Sequence, residues 1–255
     1  MLQILLILLL PFYGTTLGAA GVFIPGICKN RHLSRYLAGF AAGIMTAASI
    51  WSLILPAIEL TDGSVFPSLM GIWAGFLFLL GINHLIPYTP RGDIPSEGLP
   101  FRRSQNTMLT LAVSLHNLPE GMAVGVAAAG YLLGDGLMGY PALMTLTIGI
   151  ALQNIPEGAI ISMPLGNEGY PAQKAFWIGI LSGIIEPVAA IITLVLAIWI
   201  IQILPCCLCF AAGAMLYVVV EELIPEMFSG KHSDGVVLAF CTGFTVMMTL
   251  DISLG

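Results

Sequence analysis

The sequence predicts an all-α polytopic membrane protein with eight transmembrane helices. Three observations carry that expectation. Of the 255 residues, 58% are hydrophobic and only 9% charged, with mean hydropathy +0.96, whereas a soluble domain carries about a quarter charged residues. The apolar residues gather into eight stretches, at about 3–24, 37–58, 66–87, 107–130, 141–165, 175–198, 206–228 and 235–254, each close to the ~20 residues a helix needs to cross a bilayer. Finally, all eight Lys and Arg residues fall between these stretches in alternate loops.

The first stretch, Met1 to Ile24, has the apolar core of a signal peptide but no basic residue ahead of it. Its apolar run also continues too far, so it is read as the first span. The first loop then holds Lys29, Arg31 and Arg35, the third Arg91, Arg102 and Arg103, the fifth Lys174 and the seventh Lys231. The even loops and both termini hold none. Cytoplasmic loops retain Lys and Arg, so the odd loops are expected inside, with both termini outside the cytoplasm. The expectation is a multi-pass integral protein of the cell (inner or plasma) membrane. No stretch is long and polar enough for a soluble domain, so residues 1–255 are read as one transmembrane domain with the lipid bilayer as partner. A homodimer is the expected assembly, and nucleic acid is not expected as a partner. The third loop, about Tyr88 to Gln105, is rich in Pro and Gly.

An internal repeat organises the spans. Phe40-Ala41-Ala42-Gly43-Ile44-Met45 on span two returns as Phe210-Ala211-Ala212-Gly213-Ala214-Met215 on span seven, and Leu53-Ile54 returns at the same offset as Leu223-Ile224. The two spans run in opposite directions. Spans one to three and six to eight therefore read as an inverted repeat flanking spans four and five, a 3+2+3 arrangement. Inverted repeats with a mid-membrane site at broken helices are a transporter signature.

Spans four and five carry a second repetition. His116-Asn117-Leu118-Pro119-Glu120-Gly121 is matched by Gln153-Asn154-Ile155-Pro156-Glu157-Gly158. A carboxylate at the bilayer centre is costly, by about 3 kcal/mol on insertion scales, so two in the same hexapeptide point to a function. Residues four apart share a helix face, which aligns His116 with Glu120 and Gln153 with Glu157. Asn117 and Asn154 lie on the adjoining face, three residues before the same carboxylates. Pro119 and Pro156 each free a carbonyl one turn back, and Gly121 and Gly158 are expected to let the two helices approach closely. Glu186, in Ser182-Gly183-Ile184-Ile185-Glu186-Pro187 on span six, is a third mid-span acid beside a proline and is expected to complete a second metal position.

Imidazole nitrogen with carboxylate and amide oxygens suits Zn²⁺, Mn²⁺ or Fe²⁺; Mg²⁺ and Ca²⁺ prefer oxygen alone. The alternative is a hydrogen-bond network that merely ties two helices together. An intramembrane metalloenzyme would need an H-E-x-x-H or similar motif, which the sequence lacks. A metal-selective channel and a proton-coupled carrier of another small solute remain as rival transport readings. Glu59, Asp62 and Asp251 lie near outer span ends as a candidate entrance, and Glu221, Glu222 and Glu226 near the inner end of span seven as a candidate exit site. Cys206, Cys207 and Cys209 cluster at a span end and read as apolar filler, with a soft metal site as the alternative.

The paired H-N-x-P-E-G and x-N-x-P-E-G motifs, followed by S-G-x-x-E-P, resemble those of the ZIP (Zrt/Irt-like) divalent-metal transporters, bacterial-type members included. The resemblance covers the whole chain. It implies eight spans and uptake into the cytoplasm of zinc, or of Mn, Fe or Cd, with the metal as substrate, no organic cofactor and no enzymatic activity. It also implies a binuclear centre. His116, Glu120, Gln153 and Glu157 correspond to one metal position; Asn117, Glu120, Asn154, Glu157 and Glu186 correspond to the other. Many family members have His at the position of Gln153, some bacterial members with Gln there have Asp at that of Asn154, and the third loop here lacks a histidine-rich tract.

Overall fold

The computed structural model describes residues 2–24, 26, 31–61, 64–85, 105–133, 138–167, 169–196, 199, 203–229 and 233–254; the side chains at 2, 31, 32, 83, 85 and 105–116 lie outside the described residues. Among the described residues all regular structure is helical. In chain order the helices are α1 (Leu2–Ala19, extended by a 3-10 turn over Ala20–Phe23), α2 (Arg31–Ala48), α3 (Leu55–Glu59), α4 (Val65–Leu85), α5 (Gln105–Leu133), α6 (Tyr140–Asn167), α7 (Ala172–Gly183), α8 (Ile185–Val195), α9 (Leu204–Val218), α10 (Ile224–Met227) and α11 (Asp234–Leu254). Among the described residues each apolar stretch expected to be helical is helical, with ends displaced by a few residues.

Six of these segments are long and apolar enough to cross a membrane: Gln3–Phe23, Leu33–Glu59, Val65–Ile82, Ala172–Val195, Leu204–Met227 and Asp234–Leu254. Their outward faces carry large apolar side chains such as Phe66, Trp73, Leu238 and Ile252, all more than 60% exposed, an arrangement suited to lipid and not to water. The remaining long helices, α5 and α6, have 29 and 28 residues and bear the two hexapeptides.

Proline sets the irregularities. The helix widens into a π-helical segment at Ser49–Ile54 between α2 and α3, and does so again at Val219–Leu223 between α9 and α10. Pro56 cannot bond to the carbonyl of Ser52, nor Pro225 to that of Glu221, so the ladder loosens just before each ring. The two segments begin at equivalent points of the F-A-A-G repeat. Pro187 likewise cannot bond to the carbonyl of Gly183, and the chain breaks between α7 and α8 at Ile184. Glu186 thereby sits in the first turn of α8, where the positive end of the helix dipole favours a carboxylate.

The helices associate in matched couples: α2 with α11 and α9 with α4, α1 with α6 and α5 with α8. The seams are lined by glycine. A Cβ at Gly43 would run into the Phe240 backbone, and one at Gly75 into the Phe210 backbone. Small residues of this kind let helices in lipid gain close van der Waals contact. The expectation that Gly121 and Gly158 bring the two hexapeptide helices together is corrected here. Gly121 sits against the Glu186 backbone of α8, and Gly158 against the Thr15 backbone of α1. Proximity between α5 and α6 at the motifs comes instead from polar side chains that meet across the gap.

Candidate metal centre

The spacing shared by the two hexapeptides, N-x-P-E, turns amide and carboxylate to the same side of each helix. In the fold that side faces inward. Asn117, Glu120, Gln153 and Asn154 have no exposed surface, Glu186 has 1% and Glu157 6%. Burying polar groups without partners costs about 1–3 kcal/mol apiece, and the donors here are indeed committed. Gln153 Nε2 donates to Glu120 Oε1 at 2.8 Å, Asn154 Nδ2 to Glu186 Oε2 at 2.7 Å, and Asn117 Nδ2 to Glu186 Oε1 at 2.9 Å. The carboxyl of Glu120 also faces that of Glu157.

The acceptors tell the other half. Asn117 Oδ1, Gln153 Oε1, Asn154 Oδ1 and Glu120 Oε2 are buried with no hydrogen-bond partner among the described residues. Every amide thus spends its N–H side on a carboxylate and leaves its oxygen free. A network built only to tie helices together would pair both ends. A surplus of buried oxygens around three acids is the chemistry of a cation site. Among the described residues, no three His, Cys, Asp or Glu side chains are grouped to hold an ion by themselves. The capacity of the cluster lies in carboxylates interleaved with amides. His116 is on α5 one turn before Glu120, and its side chain lies outside the described residues.

The fold adds residues that the sequence reading missed. Thr15 on α1 is fully buried and donates from Oγ1 to Glu186 Oε1 at 3.0 Å. The carbonyl of Pro11 receives the Asn154 amide at 3.4 Å, and that of Ser182 the Asn117 amide at 3.3 Å. A proline followed four residues later by a threonine, inside an otherwise apolar run, is the signal that could have drawn attention to α1.

The outlying acids are not part of this cluster. Asp62 lies outside the described residues. Glu59 is exposed at the end of α3, and Asp251 on α11 accepts from Ser52 Oγ at 2.7 Å. Glu221 is exposed, while Glu222 and Glu226 are half-buried. Glu226 Oε1 accepts from Ser34 Oγ at 2.9 Å, and the neighbouring Arg35 Nε donates to the Met227 carbonyl at 3.0 Å. These bonds tie the candidate exit region to the start of α2. Cys206, Cys207 and Cys209 are free thiols on the first turns of α9, half-buried to buried.

Comparison with known proteins places the chain among relatives. The family model described as ZIP zinc transporter matches residues 100–251. A ZIP11 zinc transporter of Xenopus tropicalis is 34% identical over 100% of this chain and 98% of its own length. The ZIP11 zinc transporter of Homo sapiens is 31% identical over 94% of both chains. The zinc transporter ZIPB of Bordetella bronchiseptica is 34% identical over 85% of this chain and 70% of its own. The three central acids and their amide partners fall within the matched region, and the chain belongs to the ZIP zinc transporter family.

Proposed function

We propose that this protein carries divalent transition-metal ions, zinc foremost, across a membrane into the cytoplasm through the buried cluster of α5, α6 and α8. The observation that carries the proposal is the set of buried, unpartnered oxygens on Asn117, Glu120, Gln153 and Asn154. The names of the relatives as zinc transporters support zinc as the substrate. His116, Glu120, Gln153 and Glu157 are assigned to one metal position, and Asn117, Glu120, Asn154, Glu157 and Glu186 to the other. Manganese, iron and cadmium are proposed as further substrates.

The proposed frame is a single domain of eight spans in a 3+2+3 order, with α5 and α6 as the central pair and both termini outside the cytoplasm. Support for the inverted repeat comes from the paired couples, α2 with α11 against α9 with α4, and from π-helical segments at equivalent positions. Support for the orientation comes from the one-sided Lys and Arg. Such a chain works as a transporter and not as an enzyme, and a homodimer is its proposed assembly. A carrier is favoured over a channel because the described side chains of the cluster are buried; an ion reaching them must wait for helices to move. Mechanistically, hydrated metal enters from outside, exchanges water for the free amide and carboxylate oxygens, and leaves when one helix group rocks against the other. Glu59, Asp62 and Asp251 are proposed to gather ions at the entrance, and Glu221, Glu222 and Glu226 to accept them at the exit.

The test is zinc uptake into proteoliposomes, with Mn²⁺, Fe²⁺ and Cd²⁺ as competitors. Saturable zinc uptake, lost in Glu157→Ala, is the expected result. Uptake of the same size in Glu157→Ala would overturn the reading.

A further inference from the structure

We propose that Thr15 on α1 is a positioning residue that holds Glu186 for the metal ion. This deepens the reading above and rests on it.

Glu186 accepts from three side chains of the cluster. Its Oε2 accepts from Asn154, and its Oε1 accepts from both Asn117 and Thr15. Two of those three donors belong to amides whose oxygens are free and buried. Asn117 and Asn154 are themselves proposed ligands, so an ion that draws on their oxygens also pulls on the amides that donate to Glu186. Thr15 is different. It has one hydroxyl, it is not adjacent in sequence to any of the proposed ligands, and its donation to Glu186 does not compete with coordination. It is therefore the donor that stays when the amides move. With Oε1 held by Thr15, the carboxylate keeps its orientation and Oε2 becomes available to the ion.

The side chain is also fixed in place. A Cβ at Gly183 would lie 2.8 Å from the Thr15 methyl and 3.1 Å from its hydroxyl oxygen, so the threonine is seated on the break between α7 and α8. On the other side the Thr15 backbone lies against Gly158 of the second hexapeptide. One residue of α1 thus packs against α6, which carries Glu157, and against the end of α7, three residues before Glu186. Placement of that kind is what supports a ligand against loss of orientation.

The experiment is zinc binding by equilibrium dialysis on the purified full chain, paired with proteoliposome uptake. Thr15→Val keeps the shape that rests on Gly183 and removes the hydroxyl. It is expected to weaken zinc binding by about tenfold, the usual scale for a hydrogen bond to a charged group. Thr15→Ser restores the hydroxyl and is expected to bind as the wild type does. In a Glu186→Ala background, which removes the acceptor, Thr15→Val is expected to add no further loss, because its effect runs through that side chain. An equal loss in both backgrounds, or failure of serine to rescue, would overturn the proposal in favour of a packing role. Unchanged binding in Thr15→Val would overturn it too, while loss of binding in Glu157→Ala alongside would leave the central site standing. If Glu157→Ala also binds zinc normally, both this proposal and the site beneath it are wrong.

Discussion

Gln153 on α6 donates to Glu120 on α5 across 2.8 Å, with both side chains wholly buried. This bond joins the two hexapeptides. Its direction matters: the amide N–H goes to the carboxylate, and the amide oxygen is left without a partner among the described residues. An amide oxygen is a poorer zinc ligand than an imidazole nitrogen.

Gln153→His is therefore expected to tighten zinc binding by about ten- to thirtyfold, or ~1–2 kcal/mol. The imidazole can coordinate through one nitrogen and still donate to Glu120 from the other. Half-saturation should move to lower zinc, maximum uptake should fall because the ion leaves more slowly, and Mn²⁺ should compete less well. Zinc titrations and Mn²⁺ competition on the two proteins check this. Superimposable curves would remove Gln153 from the site.

The shared carboxylates give a graded expectation. Glu120→Ala and Glu157→Ala should each abolish uptake, because both residues serve both proposed metal positions. Glu186→Ala should reduce uptake less while destabilising the protein more. It strands donors from Thr15, Asn117 and Asn154 at once, and stranding buried donors costs about 1–3 kcal/mol each. Thermal unfolding in detergent, measured beside uptake, separates the two effects. A Glu186→Ala protein as stable as the Glu120→Ala protein would contradict the hydrogen-bond assignment.

Glycine substitutions test the helix couples. Gly158→Ala would drive a Cβ into the Thr15 carbonyl, and Gly121→Ala would bring one within 2.8 Å of the Glu186 Cα. Backbone atoms on both sides leave little room to yield, so each variant should show reduced yield of folded protein and lost uptake. Gly81→Ala faces open space and should match the wild type. Size-exclusion profiles of the three variants decide it.

Orientation has its own assay. In a background without native cysteines, Asp62→Cys and Asp135→Cys should react with an impermeant thiol reagent from outside intact cells, and Arg103→Cys should not. The opposite pattern would reverse the assigned direction of transport.

Much of this protein is written locally. Hydropathy alone outlines the helices, because a chain in lipid must satisfy its backbone within each span, and the ends at Leu2, Val65, Tyr140 and Asp234 differ from the expected ones by only a few residues. The two hexapeptides and Glu186 identify the polar centre, because acids in apolar stretches are too costly to be incidental. The prolines at 56, 187 and 225 carry the cause of the π-helical segments and of the break at Ile184, although their outcome as widening or breaking is not evident from proline itself. What only the tertiary structure decides is which surfaces meet. Thr15 and Glu186 are 171 residues apart, and no period or spacing in either segment points to the other. Gly121 and Gly158 have the same local context yet face α8 and α1, not each other. The direction of each amide, with N–H to a carboxylate and oxygen without a partner among the described residues, is set the same way. A helix sequence fixes which residues share a face, whereas the neighbour of that face is chosen by the packing of the whole bundle.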